Sequence, residues 1–266
     1  MQPKTKDYTY SMEEILRQFD PITLDEMSGI RLMNRTDTKF VTTKPMLERL
    51  LRMACHEYYA QEIDGRRMAD YYTVYFDTPD CNMYFVHETG HTNRQKLRVR
   101  SYVDSHLNFL EVKTKNNKGR TKKKHMSLDD FNPLDSSTFN VQCSTYSEFL
   151  RDNLHYDPQI LSRQLENRFD RITLVNKGKT ERLTIDTNLS FHNLATGHHW
   201  QMGDVVIIEL KRDGHVPSPI LKMLRQLRIK PHGFSKYVIG SALTNDQLHV
   251  NRLKPKLHYI KKMLNI

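Results

Sequence analysis

Residues 93–102 read NRQKLRVRSY, with Arg94, Lys96, Arg98 and Arg100 at every second position and Leu97 and Val99 between them. Successive side chains of a β-strand point to opposite faces. The segment is therefore a strand with a row of four cations on one face and apolar residues on the other. Neighbours in such a row stand ~7 Å apart and repel by roughly 2 kcal/mol at an effective dielectric of 20. A fold that holds this strand must turn the row toward water or toward an anion.

The pattern recurs. Arg35, Asp37 and Lys39 share one face of a strand, and Glu111, Lys113 and Lys115 share another. Arg182, Thr184, Asp186 and Asn188 alternate with Leu183, Ile185 and Leu189, and Glu209 and Lys211 follow Ile207. A solvated face of an antiparallel sheet accounts for one such strand. It accounts less well for the set, because solvated faces mix both charge signs and small polar residues. In a closed barrel, interior and exterior positions alternate along every strand, so the charged faces would line a basic tunnel. The lone acids Glu111, Asp186 and Glu209 would then either hold a divalent ion against phosphate oxygens or pair with neighbouring cations.

The wider chain fits this reading. Forty-one Lys and Arg against 31 Asp and Glu give a net charge of +10, which implies an anionic partner. The three cysteines lack zinc-ligand spacing and point to a reducing, cytoplasmic setting. No 18-residue apolar run predicts a membrane span, and residues 1–19 lack the core of a signal peptide. Helices are expected at 11–19, 43–58, 144–154, 218–229, 235–243 and in a basic tail at 256–264. About eight strands with these helices predict an α+β chain built on an antiparallel sheet, curved or closed. No linker divides it, so residues 1–266 are expected to form one domain with a core at about 30–245. Lys177, Gly178, Lys179 and Thr180 lack the spacing of a phosphate loop and read as a turn. The run Lys122, Lys123 and Lys124 is expected on a strand beside the cationic rows.

In order, RTDTKF (35–40), YFDT (75–78), KLRVRSY (96–102), FLEVKTK (109–115), FDRITL (169–174), RLTIDTNL (182–189), IIELK (207–211) and FSKYVIG (234–240) resemble the catalytic domain of the vacuolar transporter chaperone (VTC) polyphosphate polymerases. These belong to the triphosphate tunnel metalloenzymes. The resemblance implies an antiparallel β-barrel forming a basic tunnel with flanking helices. It implies that Lys39, Arg98, Arg100, Lys113, Arg171, Arg182 and Lys236 bind and activate phosphate, with Arg35, Lys96, Lys211, Ser235 and Lys124 lining the substrate path. Glu209 matches the acid for Mn²⁺ or Mg²⁺, with Glu111 and Asp186 as further metal candidates. The implied reaction moves the γ-phosphate of ATP onto inorganic polyphosphate. A triphosphatase of the same superfamily and a non-catalytic polyphosphate-binding module are the alternatives. Branches that hydrolyse open with E-x-E-x-K, whereas here Arg35 stands at the first position and Asp37 keeps one acid. Few aromatics interleave with the basic rows, which argues against nucleic acid. No membrane insertion is expected, and association with a separate membrane partner stays open, as does the oligomeric state.

Overall fold

The computed structural model describes residues 11–28, 30, 35–118, 120–129, 131–214 and 216–264, with the side chains of Ser28 and Arg35 excepted. In chain order the first elements are α1 (Met12–Leu16), β1 (Asp20–Ile22), α2 (Leu24–Ser28), β2 (Arg35–Thr43), α3 (Lys44–Ala54) and β3 (Tyr58–Gln61). There follow β4 (Ala69–Asp77), α4 (Asn82–Glu88), β5 (Arg94–Tyr102), β6 (Leu107–Lys115), β7 (Thr121–Ser127) and α5 (Ser147–Asn153). The last are β8 (Ser162–Asn176), β9 (Glu181–Asn193), β10 (His199–Gln201), β11 (Val205–Asp213), α6 (Pro219–Gln226), α7 (Lys236–Thr244) and α8 (Lys254–Leu264). The eleven strands belong to one sheet, in which β1 and β3 are parallel and the other registered pairs antiparallel. Its hydrogen-bonded path runs from β2 to β7 without closing on itself among the described residues. The short strands β1, β3 and β10 and the helix α4 carry too few residues to show a period in the sequence. No described helix is long and apolar enough to cross a membrane.

Two compact units divide the chain. The first is Met1–Met68, Arg171–Asp186 and Val206–Gly233. Its core joins Leu47, Leu50, Leu51 and Ala54 of α3 to Ile15 and Leu16 of α1 and to Ile220 and Leu224 of α6. Spacing of three and four residues puts the α3 set on one helix face. Those helices cover Leu183 and Ile185 of β9 and Val206, Ile208 and Leu210 of β11. Each strand spends its apolar face on the helices, so Arg182, Thr184, Asp186, Glu209 and Lys211 lie on the face that the helices do not cover. Ser11 caps α1 reciprocally with Glu14, at 3.3 Å to the Glu14 N–H and 2.7 Å from its own N–H to the carboxylate. The turn at 177–180 is held by the Asn176 carboxamide, whose oxygen accepts from the N–H groups of Thr180 and Glu181 at 2.8 and 2.9 Å.

The second unit is Ala69–Asp170, Thr187–Val205 and Phe234–Ile266. The ladder β4–β5–β6–β7 dominates it. Leu97 and Val99 of β5 and Leu110 and Val112 of β6 are fully buried on one face. In α7, Gly240 sits against β9: a Cβ added there would lie 2.4 Å from Phe191 Cδ1 and 2.8 Å from Leu165 Cδ2. Both rings and branches are buried and cannot retreat freely. Gly240→Ala is expected to destabilise the protein by about 1–3 kcal/mol, the usual cost of overpacking. Denaturant unfolding checks this, and an unchanged midpoint would show that the contact relaxes without cost.

Candidate functional site

The β5–β6 register sets the cationic face of the second unit. Arg94 stands opposite Lys115, Lys96 opposite Lys113, Arg98 opposite Glu111 and Arg100 opposite Phe109. Like charges directly opposite are unfavourable in a sheet, so two of these four pairs carry a cost. Glu111 is the acid that offsets it. Its Oε2 accepts from Arg98 Nε at 2.7 Å, and its Oε1 accepts from Lys123 Nζ at 3.0 Å. The pair is deeply placed, with side chains 7% exposed for Arg98 and 1% for Glu111. Burial pushes the Glu111 carboxyl up, but Arg98, Arg100, Lys113 and Lys123 outweigh it and hold the group well below the ordinary carboxylate range. Burial disfavours the charged Arg98, yet Glu111 and Tyr75 keep it protonated above its ordinary value.

Aromatic and hydroxyl side chains complete this face. Tyr75 registers opposite Arg98 and stacks on Tyr237, whose hydroxyl donates to the buried Asp77 carboxylate. Asp77 also accepts from the N–H groups of Met83 and Tyr84 at 2.8 and 2.9 Å. Arg100 lies 5.7 Å from the Tyr71 ring centroid, and Tyr71 stacks on Phe169 at 5.2 Å. Lys236, the first residue of α7, places its Nζ 3.9 Å from the Phe169 ring centroid. Ser235 caps α7, and its hydroxyl accepts from Lys96 Nζ at 2.8 Å. The same oxygen accepts from the Val238 N–H at 3.5 Å, which sets the hydroxyl at a helix N-terminus, a place that favours anions. His87 reports the local field: burial first, then Lys96 and Arg94, push its imidazole down to about 2, so it is neutral.

The first unit holds a second charged face, on β2, β8, β9 and β11. Glu209 registers opposite Thr184, and Lys211 opposite Arg182. Glu209 Oε2 accepts from Lys211 Nζ at 2.6 Å, and Oε1 lies 3.8 Å from Lys39 Nζ. Burial raises the Glu209 carboxyl, but Lys39, Lys211 and Arg171 pull it well below the carboxylate range. Lys211 is shifted down by its burial, against the pull of Glu209. Arg171 makes two parallel bonds to Asp186, at 2.6 and 2.9 Å. Arg182 Nη2 lies 3.5 Å from the Met27 carbonyl.

Of the residues expected at the site, Lys96, Arg98, Arg100, Glu111, Lys113, Ser235 and Lys236 thus fall in the second unit. Lys39, Arg171, Arg182, Asp186, Glu209 and Lys211 fall in the first. Arg35 begins β2, and the expectation for its side chain lies outside the described residues. Lys124 needs correcting. It registers opposite Val112, on the apolar side of β6, whereas Lys123 registers opposite Lys113 and reaches Glu111. The tip at 116–120, closed by Asn116 N–H to the Arg120 carbonyl at 3.0 Å, determines which lysine of the run faces the row. The sequence marks Lys123 only as part of the run 122–124 and leaves Tyr75 and Phe169 without a role. Strand alternation carried through the tip finds Lys123, and the other two stand two residues from Asp77 and Arg171, on their faces.

The acids test what a divalent ion would find. Among the described residues no three His, Cys, Asp or Glu side chains converge. Both Asp186 oxygens are taken by Arg171, and Glu111 is closed in by Arg98 and Lys123. Glu209 is more open, its side chain 24% exposed, with one near lysine and one at 3.8 Å. One carboxylate suits an ion that brings water and phosphate oxygens as its other ligands, as Mg²⁺ does.

A VTC domain model matches residues 34–245. Among curated proteins, none matches the sequence. A Hippeastrum structure, described as a candidate adenylyl cyclase with a dominant triphosphatase activity, is 13% identical and covers 82% of this chain and 99% of its own, with a TM-score of 0.52. A candidate adenylate cyclase from Bacillus halodurans is 16% identical over 76% of this chain and 96% of its own, with a TM-score of 0.49.

Proposed function

This chain belongs to the VTC-domain family and has the triphosphate-tunnel fold, and we propose that it is an ATP-dependent polyphosphate polymerase. A terminal oxygen of the polyphosphate chain attacks the γ-phosphorus of ATP. The bond from that phosphorus to the β–γ bridging oxygen breaks, ADP leaves, and the chain is longer by one phosphate. The observation that carries this reading is the pairing of cationic strand faces with single, largely neutralised acids, with no carboxylate cluster among the described residues. Phosphoryl transfer through a loose transition state needs positioning and charge neutralisation above all.

Each residue has a task within that reaction. Arg98 and Arg100 present forked donors to phosphate oxygens, and Lys39, Lys113 and Lys236 act as point charges. Glu111 holds Arg98 in place and keeps it charged. Ser235 offers its hydroxyl proton at the start of α7. Glu209 would meet the Mn²⁺ or Mg²⁺ that enters with the nucleotide, and Lys39 and Lys211 keep it ionised. The ion supplies charge neutralisation on the phosphate oxygens. Arg171 and Arg182 belong to the same face, Arg171 being anchored by Asp186.

A triphosphatase reading has one observation in its favour. Asp37 on β2 is an exposed acid close enough to act on Lys211, so the strand that carries Lys39 is not free of carboxylate. In that reading water replaces the polyphosphate oxygen. Incubation with ATP and Mn²⁺ decides between them. A polymerase yields ADP and chains that release phosphate on acid treatment, resolved by gel. Orthophosphate as the sole phosphate product identifies a triphosphatase, and binding of polyphosphate without ADP release identifies a binding module.

A further inference from the structure

The β6–β7 hairpin carries cations on both of its faces, and the chemistry above uses only one. Residues 113–125 hold seven Lys and Arg and no Asp or Glu. Lys113 and Lys123 lie on the face of Glu111. Lys122 and Lys124 register opposite Thr114 and Val112 on the other face. Glu111 is the sole carboxylate of β5, β6 and β7, so that other face of the three strands has no acid to balance its lysines. Lys118 and Arg120 extend the charge into the tip.

β7 also ends the sheet path. Its ladder is to β6, no described strand pairs with its far edge, and six of its seven residues are exposed. Lysines guard exposed strand edges against pairing with other chains. One or two suffice for that, and a run on both faces and through the tip goes beyond it. Lys122 and Lys124 stand ~7 Å apart on their face and repel each other, the more so at low salt. A flexible chain with a charge on every unit relieves that repulsion along the whole edge. β7 holds no Phe, Tyr or Trp, and its one ring, His125, lies on the Glu111 face, so Lys122 and Lys124 have no aromatic between them on which bases would stack.

We propose that the exposed edge formed by the tip and β7 is a second polyphosphate-binding surface, built from Lys118, Arg120, Lys122 and Lys124. A chain engaged by Lys113 and Lys123 crosses this edge to reach Lys122 and Lys124 on its other side. The proposal rests on the polyphosphate reading given above, and its test separates the two.

Affinities of wild type and the double variant Lys122→Gln/Lys124→Gln are measured for tripolyphosphate and for long-chain polyphosphate, across a salt series. Both lysines are exposed, and the thermal midpoint confirms folding. Tripolyphosphate affinity should be unchanged. Long-chain affinity should fall about tenfold, with a slope against log salt shallower by roughly 1 to 2, as expected when two charge contacts are lost. Equal long-chain affinity in both proteins overturns the second surface, as does self-association of the variant with binding intact, which would make the lysines edge guards. Loss of tripolyphosphate affinity as well overturns its separateness. The same loss for oligothymidylate of matched charge overturns polyphosphate as the ligand class. Wild-type protein that binds neither phosphate compound overturns the functional reading itself.

Discussion

Glu111→Gln is expected to lower the thermal midpoint by roughly 10 °C, and tripolyphosphate is expected to restore much of it. The carboxylate is buried between Arg98 and Lys123, with Arg98 itself 6% exposed. Glutamine keeps the shape and removes the charge. Arg98 then sits buried without its counter-ion, and breaking one partner of such a pair typically costs about 3–5 kcal/mol. A phosphate oxygen on this face would supply the missing negative charge, so ligand should stabilise the variant more than the wild type. Thermal unfolding with and without tripolyphosphate checks this. A deficit that persists at saturating ligand would show that phosphate does not reach Arg98.

The same pair gives a pH dependence with a definite sign. Glu111 is held well below the carboxylate range in the folded protein. Its contribution to stability is therefore fully present above the unfolded value, about 4.3, and declines as pH falls below that toward the folded value. The stability gap between wild type and Glu111→Gln should be constant from pH 7 to pH 5 and shrink at pH 3. A gap that widens on acidification would contradict a depressed Glu111.

What could be read from sequence follows from periodicity. Alternation at 94–100, 182–186 and 205–211 sorts charge from apolar surface without any knowledge of the fold, because a period of two has only two outcomes. Helices α3 and α6 are legible in the same way from their buried three-and-four spacing. Pairing across a loop is another matter. Whether Lys123 or Lys124 joins the row depends on the five-residue tip at 116–120, and a shift of one residue reverses the answer. Acid roles were equally hidden: the sequence leaves Asp186 and Glu111 open between a metal and an ion pair, and only the strand ladders set Arg171 and Arg98 beside them. Sequence gives a residue its face, and register gives it its neighbours.

Register is also what sets Glu209 apart, and its replacement should be the most damaging to turnover. Glu209→Gln is expected to cut phosphoryl transfer by about 100-fold or more while leaving polyphosphate affinity equal or tighter. The reasoning is electrostatic. Lys39 and Lys211 both spend attraction on this carboxylate. Without it more of their charge acts on phosphate, so ground-state binding of the chain does not suffer. What is lost is the acid that would meet the divalent ion between Lys39 and Lys211, and with it the charge neutralisation of the transferring group. Stability should change less than with Glu111→Gln, because Glu209 is the more exposed acid and Lys39 beside it already reaches solvent. Rates of ADP release and equilibrium binding, measured on the same preparation, give the required split. Retained turnover would remove Glu209 from the metal role, and a parallel loss of binding would make it a structural acid like Glu111.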